Sequence, residues 1–408
     1  MSLSTAEIMV EGSVSKAASA PEPHHNPALD GVRGLAILCV LGHHLIYVNQ
    51  FAGGPVYVWS RALIDSLWCG VDIFFALSGF LITGILVRTL NAPGYFRNFY
   101  GRRTLRIFPL YYFVLLVLLL STPWLHIAWG SQIWRLLTYS NHPFPLPHDS
   151  QWSFYFGGNI SLVNFWSLHI EEQFYLFWPL LVFFFRLPRR LLFVAGGLSI
   201  FSIALRIYLG AKGFPYVSIY SSLLTRLDAL LIGALLAILL YTPIRHRVLR
   251  FAPYALATFL LILIILFVHN HGLLWRDVSP TLFSLQFTLI SLATTALIAV
   301  CLDSTSPVTR LFSKPTFRFF GRYSYGMYVY HSVLPIFYMD AFQRLIAPLE
   351  QHPAIQHLLT TFVELTTTIV VSVLSYHFLE LRFLRLKRLF EYRVPESRPA
   401  ITESHAVS

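Results

Sequence analysis

Charge is what this sequence has least of. Charged residues fill 12% of its 408 positions, about half of the ~25% usual in soluble domains. With 56% hydrophobic residues alongside, that scarcity excludes a water-soluble globular chain, whose surface would be too apolar to cover. Cysteine is nearly absent: Cys39, Cys69 and Cys301 all lie in apolar runs. Neither a disulfide framework nor a CxxC site is expected, and no metal is assigned. Acidic residues number 19 against 30 Lys and Arg, for a formal charge of +11. That excess reads as topology bias and attraction to anionic membrane lipids, not as nucleic-acid binding. Residues 1–28 lack the apolar core of a signal peptide and read as a disordered cytoplasmic tail. Residues 382–408, basic and then polar, read as a second tail beyond a transmembrane domain over 29–381.

What is present is a series of apolar runs. A spanning helix needs about 20 mainly apolar residues, and ten segments qualify: roughly 33–50, 63–87, 105–121, 166–185, 191–209, 222–241, 252–269, 281–302, 323–345 and 358–380. Placing the N-terminus inside assigns twenty-two of the thirty Lys and Arg to inner segments and six to outer ones, Arg206 among the latter. The bias supports an all-α polytopic transmembrane bundle of about ten spans with both termini cytoplasmic. The long segment 122–165 is rich in Trp, Pro, His and Ser. It reads as a lid or as an aromatic belt, and the sequence does not choose.

Ionisable residues within the spans are costly and face the bundle interior, so they are candidates for function. In RGLAILCVLGHH, residues 33–44, Arg33 and His44 are eleven residues apart and share one helix face. Their rise is ~16 Å, which puts His44 near mid-membrane if Arg33 marks the inner boundary. His43 points about 100° away. The second span carries Asp72, a carboxylate in need of a partner, and a Ser78–Gly79 pair read mainly as a packing device. GRRTLRIF places Arg102, Arg103 and Arg106 at an inner mouth. They read equally as a topology signal and as a fork for phosphate oxygens.

In the fourth span Glu171 and Tyr175 are i,i+4 neighbours, preceded by Trp166. The adjacent Glu172 points 100° away, so only one of the two carboxylates is expected at any one site. Arg226 and Asp228 open the sixth span and are expected to pair locally. Ser324, Tyr328 and His331 form a polar stripe at i, i+4, i+7. Glu380 is expected to form a boundary salt bridge beside Arg382.

Taken in order, LDGVRGLAILCVLGHH, GVDIFFALSGFLIT, RRTLRIFP, WSLHIEEQFYLFWP, RLDALLIGALL and YSYGMYVYH resemble the acyltransferase-3 family of integral membrane O-acyltransferases, in its membrane-only form. Relatives often continue from the last-span Glu into Pro, where this chain has Leu381. The resemblance implies transfer of an acyl group, commonly acetyl from acetyl-CoA, to a hydroxyl of a carbohydrate or lipid-linked saccharide of the cell envelope, in a multi-pass protein of the bacterial inner membrane. It also implies Arg33 and His44 as the catalytic motif and selects His44 over His43. Arg103 and Arg106, with Arg102 beside them, match its donor motif.

Tyr175, Trp166, Asp228, Tyr328 and His331 are expected to meet substrate. A histidine with a pKa near 6.5 suits general-base work on a sugar hydroxyl, with Glu171 or Asp72 orienting its ring and Arg33 steadying developing charge or the pantetheine–phosphate arm. His44 as a transient acyl carrier stays open. So does a competing class, a transporter or flippase of lipid-linked saccharide, although no inverted repeat is evident.

Overall fold

Among the described residues, ten helices of 17 residues or more build the molecule, and each overlaps one of the expected spans. In the computed structural model, which describes residues 26–46, 54–130, 132–140, 162–273 and 279–392, they run in chain order. They are α1 Pro27–Leu45, α2 Gly70–Arg88, α3 Tyr95–Leu120, α4 Phe165–Phe185, α5 Pro188–Ala211, α6 Leu223–Leu239, α7 Arg245–Asn270, α8 Pro280–Cys301, α9 Pro315–Val333 and α10 Pro353–Ser375. Every regular element among the described residues is helical. Eight segments among the described residues are long and apolar enough to cross a membrane, so the protein is an all-α polytopic bundle and a multi-pass membrane protein. The helices outside those eight are α4 and α9, which carry Glu171, Glu172, Arg318, Arg322 and His331.

Three boundaries differ from expectation. Helix α1 begins at Pro27 because the Asn26 side chain accepts the Ala28 N–H at 2.9 Å and proline presets the first turn. Arg33 therefore lies well inside the helix rather than at its start, and His44 falls in its last turn. The expected span 323–345 divides at Pro335, which has no N–H to continue α9, and a separate helix Pro335–Ile346 follows. The chain beyond 382 does not leave the body at once: Phe390 packs against Gly101, and Asn98 donates to the Glu391 carbonyl at 3.1 Å. Residues 1–25 and 393–408 of the expected tails, and 141–161 of the expected lid or belt, lie outside the described residues.

Glycine sets the two closest helix contacts. A Cβ on Gly34 would stand 2.0 Å from the Phe317 carbonyl oxygen, and one on Gly321 would stand 1.8 Å from that of Asp30. Gly79 and Gly233 meet the Leu230 and Ala76 carbonyls in the same reciprocal way. Membrane helices associate by such close backbone approach because lipid supplies no hydrophobic drive between them. Gly34 pairs with Gly321 at the same sequence offset at which His44 meets His331, so α1 and α9 run parallel. Gly79 and Gly233 share the offset of Asp72 and Arg226, so α2 and α6 are parallel as well. Both pairings agree with strict alternation through a bilayer. Replacing Gly321 with alanine is expected to cost about 1–3 kcal/mol by overpacking. The melting temperature in detergent checks this, and an unchanged value would mean the contact is slack.

Toward lipid the pattern reverses. In α7 only Ala252 is buried, while Leu260, Leu261, Ile264, Ile265 and Val268 are exposed. That surface is stable only where hydrocarbon replaces water.

Candidate active site

The polar interior divides along α9. At its N-terminal end lies a cavity of about 730 Å³ whose lining includes Arg33, Arg102, Arg103, Arg106, Arg318, Arg322 and Lys387. Asp30 is the acid in that lining, 3.6 Å from Arg33. Local sequence explains the convergence. Arg102 and Arg103 each lie within one turn of Arg106, and Arg318 and Arg322 are i,i+4 on α9, so each group shares a flank. Phe319, Tyr323 and Tyr376 add aromatic walls. Planar guanidinium forks and ring faces together suit a ligand that carries phosphates and a flat base.

Arg33, Arg103 and Arg106 also line a second cavity of about 100 Å³, deeper in the bundle, and so stand where the two meet. Ser78, Ser167, Glu171, Glu172, Ser324, Tyr325 and Tyr328 complete its polar lining. Ser78 donates to Glu171 Oε1 at 2.7 Å, so this serine serves the site as well as the helix contact beside it. Both glutamates reach the cavity, against the expectation that only one would. The 100° between them is smaller than the arc the cavity covers, and their side chains are long. Tyr175 lies beneath Arg103, whose guanidinium is 4.0 Å from the ring centroid in a cation–π contact.

Tyr328 forms the step to the far end of α9. Its hydroxyl bonds to Ser167 and donates to the Asn164 carbonyl at 2.9 Å. One turn beyond, His331 meets the Tyr328 ring at 5.7 Å between centroids and the His44 ring at 5.0 Å. His44 is exposed, whereas His331 is 2% exposed. Each imidazole is fixed by a carbonyl one turn back in its own helix. His44 Nδ1 lies 2.9 Å from the Val40 oxygen, and His331 Nδ1 lies 3.2 Å from the Met327 oxygen. A carbonyl only accepts, so both rings carry their proton on Nδ1 and leave the Nε2 lone pair open. His43 turns away to the Ile64 carbonyl at 3.3 Å.

The carboxylate expected to orient His44 is not beside it. Glu171 sits among the arginines. Asp72 accepts from Arg226 at 2.6 Å, with both residues fully buried. Arg226 lies 4.0 Å from the Phe287 ring centroid and 5.1 Å from that of Tyr220. Trp166, expected at substrate, packs on Tyr220 in the same aromatic box, with ring centroids 4.6 Å apart.

Asp228 does not pair with Arg226, because side chains two apart on a helix diverge. Its partner is Arg206 of α5, which binds both carboxylate oxygens at 2.9 and 2.8 Å. Ser284 and Thr288 of α8 complete that network. Arg206, counted as an outer charge in the sequence, is thus fully buried. Glu380 is 4% exposed in a π-helical turn, with Arg382 exposed and pointing elsewhere, so the expected boundary salt bridge does not form. Among the described residues, Arg318, Arg322 and Lys387 are the cavity cations that motif reasoning passed over. The i,i+4 spacing of the two arginines was the available signal.

Comparison with known proteins follows the same lines. Residues 26–377 match the acyltransferase-3 family, described as an acyltransferase domain. The chain is 30% identical over 320 residues to the peptidoglycan O-acetyltransferase OatA of Listeria monocytogenes, covering 75% of this chain and 48% of that protein. It is 30% identical over 387 residues to a Bacillus subtilis protein named "Putative peptidoglycan O-acetyltransferase YrhL", covering 88% and 55%. A Staphylococcus aureus protein named "Putative O-acetyltransferase" is 27% identical over 382 residues, covering 88% and 57%. The chain thus spans about half the length of the curated relatives it matches. No solved structure matches it.

Proposed function

This chain belongs to the acyltransferase-3 family, and from that premise we propose that it is a membrane O-acyltransferase. It moves an acyl group, taken to be acetyl, from acyl-CoA to a hydroxyl of a cell-envelope carbohydrate in the bacterial cytoplasmic membrane. The names of the relatives favour peptidoglycan, or a lipid-linked saccharide that leads to it, as the acceptor. One observation carries the donor: six arginines and Lys387 converge on a single cavity with one acid among them. Such an array matches the phosphates of a CoA-type ligand in charge and in bidentate geometry.

Length supports the same reading. From phosphate oxygen to sulfur the pantetheine arm has about twelve bonds, roughly four residue lengths of extended chain, or ~14 Å. Arg33 and His44 are separated by a rise of ~16 Å. A CoA held by the arginines therefore has the reach to bring its thioester past Tyr328 to the histidine pair. There His44, with Nε2 unprotonated, takes the acceptor proton as the new C–O bond forms. The arginine-lined end then faces the cytoplasm, where CoA is found, and the acceptor arrives at the exposed His44.

Purified protein in detergent or nanodiscs, given acetyl-CoA and a muropeptide or lipid-linked acceptor, is expected to release free thiol only when the acceptor is present. Saccharide uptake into vesicles without thiol release would support a flippase instead. Replacing both Arg103 and Arg106 with alanine is expected to raise the donor KM at least about a hundredfold, as loss of two charge-assisted phosphate contacts worth about 1.5–3 kcal/mol each requires. An unchanged donor KM in that variant would remove the arginine cavity from the reading.

A further inference from the structure

Two imidazoles meet at the end of the polar track, and a single general base accounts for only one of them. We propose that His331 is a covalent acyl carrier and His44 the base that discharges it. This rests on the reading above that acyl-CoA is the donor. The ring centroids are 5.0 Å apart, and both rings are held as Nδ1–H tautomers by the Met327 and Val40 carbonyls. Two adjacent rings thus each keep an unprotonated Nε2, one free to attack carbon and the other free to take a proton.

Burial assigns the roles. An acyl-imidazole is a reactive amide that water cleaves, so it persists only on a ring kept dry. His331 is 2% exposed, and its Nε2 is buried with no hydrogen-bond partner. An orphaned buried acceptor of this kind calls for an explanation, and an electrophilic carbon arriving there supplies one. His331 also faces Tyr328, which lines the cavity shared with the arginines, so it is the imidazole on the donor side. His44 is exposed at the end of α1, where an acceptor arrives and a proton can leave to water.

The steps balance. The His331 Nε2 lone pair attacks the thioester carbon, the C–N bond forms, the C–S bond breaks, and its electron pair leaves on the CoA thiolate, while the acylated ring keeps its Nδ1 proton on the Met327 carbonyl and carries the balancing positive charge. The acceptor hydroxyl then gives its proton to His44 Nε2 while its oxygen attacks the acyl carbon. The C–O bond forms, the C–N bond breaks, and its electron pair returns to His331 Nε2. His44 gives its proton to solvent and the CoA thiolate takes one up, so the net products are ester and free thiol. The parallel contact of α1 with α9 at Gly34 and Gly321 keeps the two rings level throughout.

The test is a single-turnover experiment with radiolabelled acetyl-CoA on full-length wild-type, H44Q and H331Q proteins, with H331N as a second carrier variant and elution and melting temperature as folding checks. H44Q is expected to release about one equivalent of thiol per protein, stop, and retain one acetyl group on the peptide containing residue 331. H331Q and H331N are expected to release none without acceptor and to turn over poorly with it. Label on the peptide containing His44, no burst in H44Q, or acceptor acylation by H331Q at the wild-type rate would each overturn the proposal. If wild type itself released no thiol with acceptor present, the donor reading would fail instead, and the two failures are thereby distinguishable.

Discussion

Replacing His44 with alanine is expected to lower steady-state acyl transfer by about 10²–10⁴-fold, the usual contribution of a positioned general base. The protein is expected to keep its elution position and melting temperature. His44 occupies the last turn of α1, is exposed, and its ring bonds to the Val40 carbonyl, which also accepts the backbone N–H of residue 44 within the helix and so keeps a partner when the imidazole is removed. Removing it therefore creates neither a cavity nor an orphaned buried partner. The loss should fall on kcat rather than on the donor KM, because the arginines that hold the donor lie ~16 Å away along the helix. Acceptor-dependent thiol release measures it. Full activity in a folded His44→Ala protein would end the claim that this residue does the chemistry.

The second large effect is on folding. Asp228→Ala is expected to destabilise the protein by about 3–5 kcal/mol, because it leaves Arg206 buried without its counter-ion. Arg206 is fully buried and donates to the Thr225 carbonyl and to Ser284 and Thr288 as well as to Asp228, so no rotation returns its charge to water. A double replacement, Arg206→Met with Asp228→Leu, is expected to recover most of the loss, since removing a buried pair together is far less costly than breaking it. The readouts are yield and melting temperature in detergent, with the donor KM of the folded fraction unchanged. If Asp228→Ala folded normally and bound donor poorly, the residue would belong to the substrate site after all. The Asp72–Arg226 pair follows the same logic at one remove, since its guanidinium rests on Phe287 and Tyr220 rather than in a closed hydrogen-bond network.

Those two results would separate residues that sequence reasoning had grouped together. Asp72, Asp228, Glu171 and His44 all read alike along the chain: ionisable groups in apolar helices. Two of them turn out to be clasps between helices, one lies among arginines, and one stands at an open end. The arginines were legible as a cluster in GRRTLRIF, yet Arg318, Arg322 and Lys387 come from segments more than two hundred residues later. Only the packing of α9 against α1 and of the last described turns against α3 brings them to the same cavity.

The sequence by itself determined the helical bundle, the helices that carry its polar residues, and the common face of Arg33 and His44. Those properties depend on composition and on a repeat of 3.6 residues, and both are local. Which side chain meets which across helices was decided by tertiary structure alone. Glycine contacts at Gly34–Gly321 and Gly79–Gly233 set the register of parallel neighbours, and that register brought His331 to His44 and gave Asp72 to Arg226. A shift of one residue in either contact would turn its side chains by 100° and part the pair that it sets. No pattern within a single helix encodes that choice.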